Sequence, residues 1–105
     1  VYNPWRSSMS HATNFIQLVQ THRKARHWTV AELARRAKLT QPEVSRIESG
    51  HRNPTIRIVR GLARAFSEAP SKRRDEPSGY ERWLSILVDF AEDARQEVRS
   101  SRREG

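Results

Sequence analysis

Residues 29 to 50 read TVAELARRAKLTQPEVSRIESG, and two helix starts are written into them eleven residues apart. In Thr29-Val30-Ala31-Glu32 the hydroxyl can accept from the backbone N–H three positions on, while the glutamate reaches back to the cap's own amide. Thr40-Gln41-Pro42-Glu43 repeats the device. Each start is preceded by an apolar residue that can staple onto the first turn, Trp28 onto Leu33 and Leu39 onto Val44. The pattern predicts a helix over 30–37 with Leu33, Ala34 and Ala37 turned inward, and a second over 41–49. In the second, Val44 and Ile47 face the core, while Gln41, Pro42, Ser45, Arg46 and Ser49 follow the outward rows. Gly50 ends it, since glycine takes positive φ without a Cβ clash.

An exposed helix start that carries an amide and a guanidinium suits the major groove of DNA, where glutamine can bind adenine N6 and N7 and arginine guanine O6 and N7. Glu43 could accept from cytosine N4, but the capping box already employs it and phosphates repel it, so its expected role is structural. Ser45 is either a phosphate contact or a neutral surface position.

These residues resemble the helix-turn-helix of the phage-repressor-like (Cro/repressor, XRE-type) DNA-binding domains. The family pattern is met by Glu32, Leu33, Ala34, Thr40, Gln41, Val44, Ser45, Arg46, Ile47, Glu48 and Gly50, and the resemblance covers roughly residues 14 to 66. It implies an all-α fold: a compact bundle of four to five helices with a lambda-repressor-like helix-turn-helix, here followed by a long C-terminal helix. It also implies that Gln41, Pro42 and Arg46 read bases, Pro42 offering only apolar contact to a thymine methyl. Ser45, His51, Arg52 and Asn53 become candidates for phosphate contacts, and Arg23 for a partly buried bidentate pair with Glu48. Lys38 stands where the family often has a turn glycine, which implies a left-handed backbone there. Val30 stands in place of a phosphate-binding glutamine, and Gly61 interrupts the fourth helix.

Around this segment the charge is uneven. Net charge is +8, yet residues 1 to 66 hold 12 Lys/Arg against 3 Asp/Glu, and residues 67 to 105 hold 8 against 9. A basic excess confined to that part fits a polyanion partner bound with strong salt dependence. It also fits an arginine-rich solvated surface.

Outward from the centre, Phe15, Leu18, Val19 and His22 recur at i, i+3, i+4, i+7 and predict an amphipathic helix from Asn14 to about Arg26. Residues 1–10 lack periodicity and read as a flexible arm; Met9 would make a natural start, leaving 1–8 as an addition. The domain then runs over 11–66, its fourth helix capped by Thr55, or by Asn53 with Pro54, and closed by Ile58, Val59, Leu62, Ala63 and Phe66. Gly61 within that helix suggests close packing against a neighbour. Residues 67–79, SEAPSKRRDEPSG, read as a linker. Over 80–100, Tyr80, Trp83, Leu84, Leu87, Phe90, Ala91 and Ala94 keep a 3/4 spacing on a helix. The stripe needs a partner, and an aromatic helix beyond a linker points to a dimer or a docked protein; folding back on the domain is the alternative.

The four histidines show no ligand spacing and cysteine is absent, so no metal and no cofactor is expected. Neither a phosphate-binding glycine loop nor a nucleophile with its base can be found, and the expectation is a non-enzyme. No apolar stretch approaches the roughly 18 residues that span a bilayer, which leaves a cytoplasmic protein without a membrane partner. The resulting expectation is a sequence-specific regulator of double-stranded DNA, a repressor acting as a homodimer on a palindromic operator. The alternative is an antitoxin or adaptor whose C-terminal helix binds a protein partner, with DNA binding as autoregulation.

Overall fold

A computed structural model describes the backbone of residues 11–104 and the side chains of residues 14–93. Among the described residues there are five helices and no strand: α1 His11–Ala25, α2 Val30–Ala37, α3 Gln41–Glu48, α4 Ile56–Glu68 and α5 Tyr80–Glu104. The expected arm over residues 1–10 and the side chain of Ala94 lie outside that description.

The first three helices end in the same way. An N–H two or three residues past the helix returns to the carbonyl five residues back, at Trp28 N to Arg23 O (3.3 Å), Leu39 N to Ala34 O (2.8 Å) and His51 N to Arg46 O (2.9 Å). The closure needs a left-handed residue just past the helix, and His27 (φ 58°), Lys38 (φ 57°) and Gly50 (φ 80°) supply it. Two of the three carry a side chain in a conformation that costs about 1–2 kcal/mol outside glycine. Lys38 was expected there; His27 carries no sequence signal.

The helix starts differ. At Thr40 the capping box is complete, with Glu43 N donating to Thr40 Oγ1 (3.2 Å) and Thr40 N to Glu43 Oε2 (2.8 Å). At Thr29 only the first half forms, Glu32 N to the hydroxyl at 3.1 Å. The Glu32 carboxylate is drawn toward Arg35 and Arg36 on its own helix, at 2.6 and 2.8 Å. Two guanidiniums one turn away outcompete a single neutral amide. Of the two caps open for α4, Thr55 is the one used, accepting from Ile58 N.

The core joins Phe15, Leu18 and Val19 of α1, Leu33, Ala34 and Ala37 of α2, Val44 and Ile47 of α3, and the inner face of α4. Gly61 makes the α2–α4 approach possible, because a Cβ there would sit 2.5 Å from the backbone oxygen of Ala37.

The C-terminal helix departs from expectation. Trp83, Leu87, Phe90 and Ala91 were expected on a dimer or partner face, and all four are buried in the domain's own core, between 0% and 4% exposed. α5 lies along α4 and α1. The Trp83 ring meets Phe66 at 4.9 Å and stands edge-on to His22 at 4.7 Å. The folded-back position seats Trp83 against Phe66 and His22, both fully buried in the folded chain. Of the expected interface, Tyr80 is exposed and Leu84 half-buried.

Residues 67–79 do not act as a bare spacer. Ser67 and Glu68 extend α4, and the following loop folds over α1 so that Glu76 meets Arg26, whose side chain is 3% exposed. Arg26 also donates to the last free carbonyls of two helices, His22 O at 2.8 Å for α1 and Phe66 O (2.9 Å) and Ala69 O (2.6 Å) for α4. Its guanidinium lies 4.8 Å from the Phe66 ring centre. The buried charge is thereby fully surrounded by acceptors, a carboxylate and an aromatic face, the condition under which burial is tolerated.

Candidate nucleic-acid interface

Capping and packing together decide what α3 shows to solvent. Thr40 fixes where the helix begins, Val44 and Ile47 are buried at 1% and 2% exposure, and this pins the rotation of the helix about its axis. Gln41, Pro42, Ser45, Arg46 and Ser49 are exposed along the opposite side. The expected base-reading residues thus share one solvent-facing surface at the start and middle of the helix, and Ser45 lies on the same surface.

Past Gly50 the loop carries His51 and Asn53 exposed and Arg52 half-buried. His51 Nδ1 is 2.8 Å from Ser49 Oγ, and that hydroxyl also donates to Arg46 O at 3.3 Å. The start of the loop is therefore folded against the last turn of α3.

The far end of α3 is anchored. Arg23 Nε donates to Glu48 Oε2 at 2.7 Å and Nη2 to Oε1 at 3.0 Å, a two-pronged pair in which the side chains are 14% and 8% exposed. Arg23 Nη1 adds a bond to Trp28 O at 2.8 Å, and Gln20 Nε2 donates to Glu48 O at 3.0 Å. Three segments converge on one guanidinium: α1, the turn before α2, and the end of α3. Such forked geometry fixes orientation as well as distance.

One charged group beside the start of α3 has no signal in the sequence. Arg57, on the first turn of α4 and 58% exposed at its side chain, donates through Nη2 to Glu43 Oε1, and Arg52 Nη2 lies 4.0 Å from the same oxygen. The Thr40 amide, followed by the Arg57 guanidinium, holds the Glu43 carboxyl below its ordinary value. The capping box signals the first of these contacts. The second depends on how the loop over 49–55 returns the first turn of α4 to the first turn of α3, which local sequence does not encode.

A family model described as helix-turn-helix matches residues 19–71, half of the chain. No curated protein and no solved structure matches it. No helix among the described residues is long and apolar enough to cross a membrane.

Proposed function

Because the chain belongs to the XRE/lambda-repressor-like helix-turn-helix family, whose domains bind DNA in regulation, we propose that it is a sequence-specific repressor that binds as a dimer to a palindromic operator. α3 enters the major groove. Gln41 and Arg46 read base edges, Pro42 packs on a thymine methyl, and Ser45, His51, Arg52 and Asn53 contact phosphates. The observation that supports this most is the two-faced burial of α3, with Val44 and Ile47 inside and Gln41, Pro42, Ser45 and Arg46 outside. Two subunits reach the same side of the duplex when half-sites lie about 10 to 10.5 base pairs apart or a multiple of that. Repression is the simpler outcome, since occupying a promoter requires no additional contact.

The test is selection of bound duplexes from a random pool, followed by titration of Arg46→Ala. Loss of about 1–3 kcal/mol on the selected site, with relaxed preference at one base pair, is expected. Equal loss on the selected and random duplexes would mean that Arg46 touches only phosphate. The reading of α5 as the organ of an antitoxin or adaptor loses its main support, because four of its apolar residues are already buried at home.

A further inference from the structure

Glu43 is a carboxylate on the surface that is to meet a polyanion, where its own charge would weaken binding. It is not free to do so. One oxygen is pinned by the Thr40 amide at 2.8 Å, and the other accepts from Arg57 with Arg52 4.0 Å away. Two guanidiniums therefore converge on one side chain that is 13% exposed and fixed by the cap of α3. A guanidinium has five donors in a planar fork, and Arg57 donates to Glu43 through one nitrogen, Nη2. The rest of the side chain, 58% exposed, faces solvent beside the first turn of α3. The local charge stays positive by one after Glu43 is counted.

We propose that Glu43 is a positioning residue that holds Arg57, with Arg52 beside it, as a two-arginine clasp for one DNA phosphate at the edge of the recognition helix. The proposal rests on the DNA-binding reading above and adds to it a contact from α4 and a role for an acidic residue. A phosphate presents the same paired oxygens that guanidinium forks recognise in carboxylates. A clasp of this kind fixes where the backbone lies relative to Gln41 and Arg46 and carries no base preference itself. Without the carboxylate the two arginines would repel each other and lose their fixed geometry before DNA arrives.

The experiment titrates the full chain against its selected duplex and a scrambled one by fluorescence anisotropy across a range of salt. Arg57→Ala is expected to weaken both by about five- to tenfold and to reduce the slope of log affinity against log salt by about 1. Glu43→Gln keeps a side-chain oxygen for the Thr40 amide, so the cap survives; a melting curve checks the fold. If the carboxylate positions the arginines, this variant weakens binding although it removes a negative charge, and the double variant is no weaker than Arg57→Ala alone. Tighter binding by Glu43→Gln, or unchanged affinity and salt slope for Arg57→Ala, overturns the clasp and leaves sequence-specific binding standing. Equal affinity for both duplexes with the Arg57 and Glu43 effects intact would sink the specific-regulator reading and keep the clasp, whereas no binding to either duplex ends both.

Discussion

Gly61 shows how a single position can reverse the rule of local preference. In an open helix, alanine is favoured over glycine by about 1 kcal/mol. Here a Cβ would stand 2.5 Å from the Ala37 carbonyl oxygen, a backbone atom that can yield only if α2 moves. Gly61→Ala is therefore expected to destabilise the protein by about 1–3 kcal/mol, the range for overpacking, as measured by urea unfolding; a stabilised variant would mean that α2 and α4 are not in contact there. The sequence shows a glycine in a helix and suggests closeness. Only the coordinates identify Ala37 as the neighbour. Arg26 is the opposite case: as one of 20 basic residues it looks like solvated charge, yet it is among the most enclosed side chains, because its acceptors come from segments 4 to 50 residues away.

Among the elements, α2 and α3 were the most legible. Their limits are set by nearby groups: a threonine cap at each start, a left-handed residue after each end, and apolar spacing between. Spacing also found the buried rows of α1 and α4. Where α5 goes was not legible, because its 3/4 stripe states that one face must be covered and is silent on what covers it. The docking site is built from His22 on α1, Arg26 just past its end and Phe66 on α4, groups distant in sequence, and it takes shape only when α1 and α4 are side by side. The Arg23–Glu48 pair has its consequence at this scale too, since it ties the end of α3 to α1. Glu48→Ala leaves a largely buried guanidinium without its carboxylate, and a loss of about 3–5 kcal/mol is expected in chemical denaturation. A cost under 1 kcal/mol would reduce the pair to a surface contact.

For the molecule as a whole, acid is the condition that should open the α1–α4–α5 junction. Burial lowers the His22 pKa from 6.5 to about 4; the Glu76 carboxylate, 3.5 Å from Nδ1, opposes the shift, while Arg26 and Arg73 reinforce it and Asp75 resists it. Between those two values the unfolded chain binds a proton that folded His22 does not, so stability falls as pH drops from 6.5 toward 4 and is unaffected by this group above 6.5. The full loss is about 3 kcal/mol at about 1.4 kcal/mol per unit. Burial pushes the Glu76 carboxyl up, but hydrogen bonds from Ser71 and the charges of Arg26 and His22 prevail and keep it below 4.5. Its contribution is present above 4.5 and is lost as pH falls through the lowered value. Urea midpoints at pH 7, 5.5 and 4.5 should decline in that order, and His22→Gln should flatten the upper part of the profile; equal midpoints for the parent chain would contradict it.

Assembly belongs to the same scale. With Trp83, Leu87, Phe90 and Ala91 committed to the core and Leu84 half-buried against it, the proposed dimer contact on α5 is left with Tyr80, which is 39% exposed. Such a contact is small. Tyr80→Glu is expected to abolish cooperative occupation of a two-half-site duplex while leaving affinity for a single half-site within about twofold, read by gel shift. Unchanged cooperativity would move the contact elsewhere.

The aromatic seat under Trp83 bears on modularity. The family match stops at residue 71, nine residues before α5 begins to fold back. Anyone transplanting the recognition segment into another scaffold at that boundary would leave behind the lid of its own interior, exposing the Phe66 ring and a histidine that is at present fully enclosed. The smallest portable form of this domain extends to the turns of α5 that carry Phe90 and Ala91.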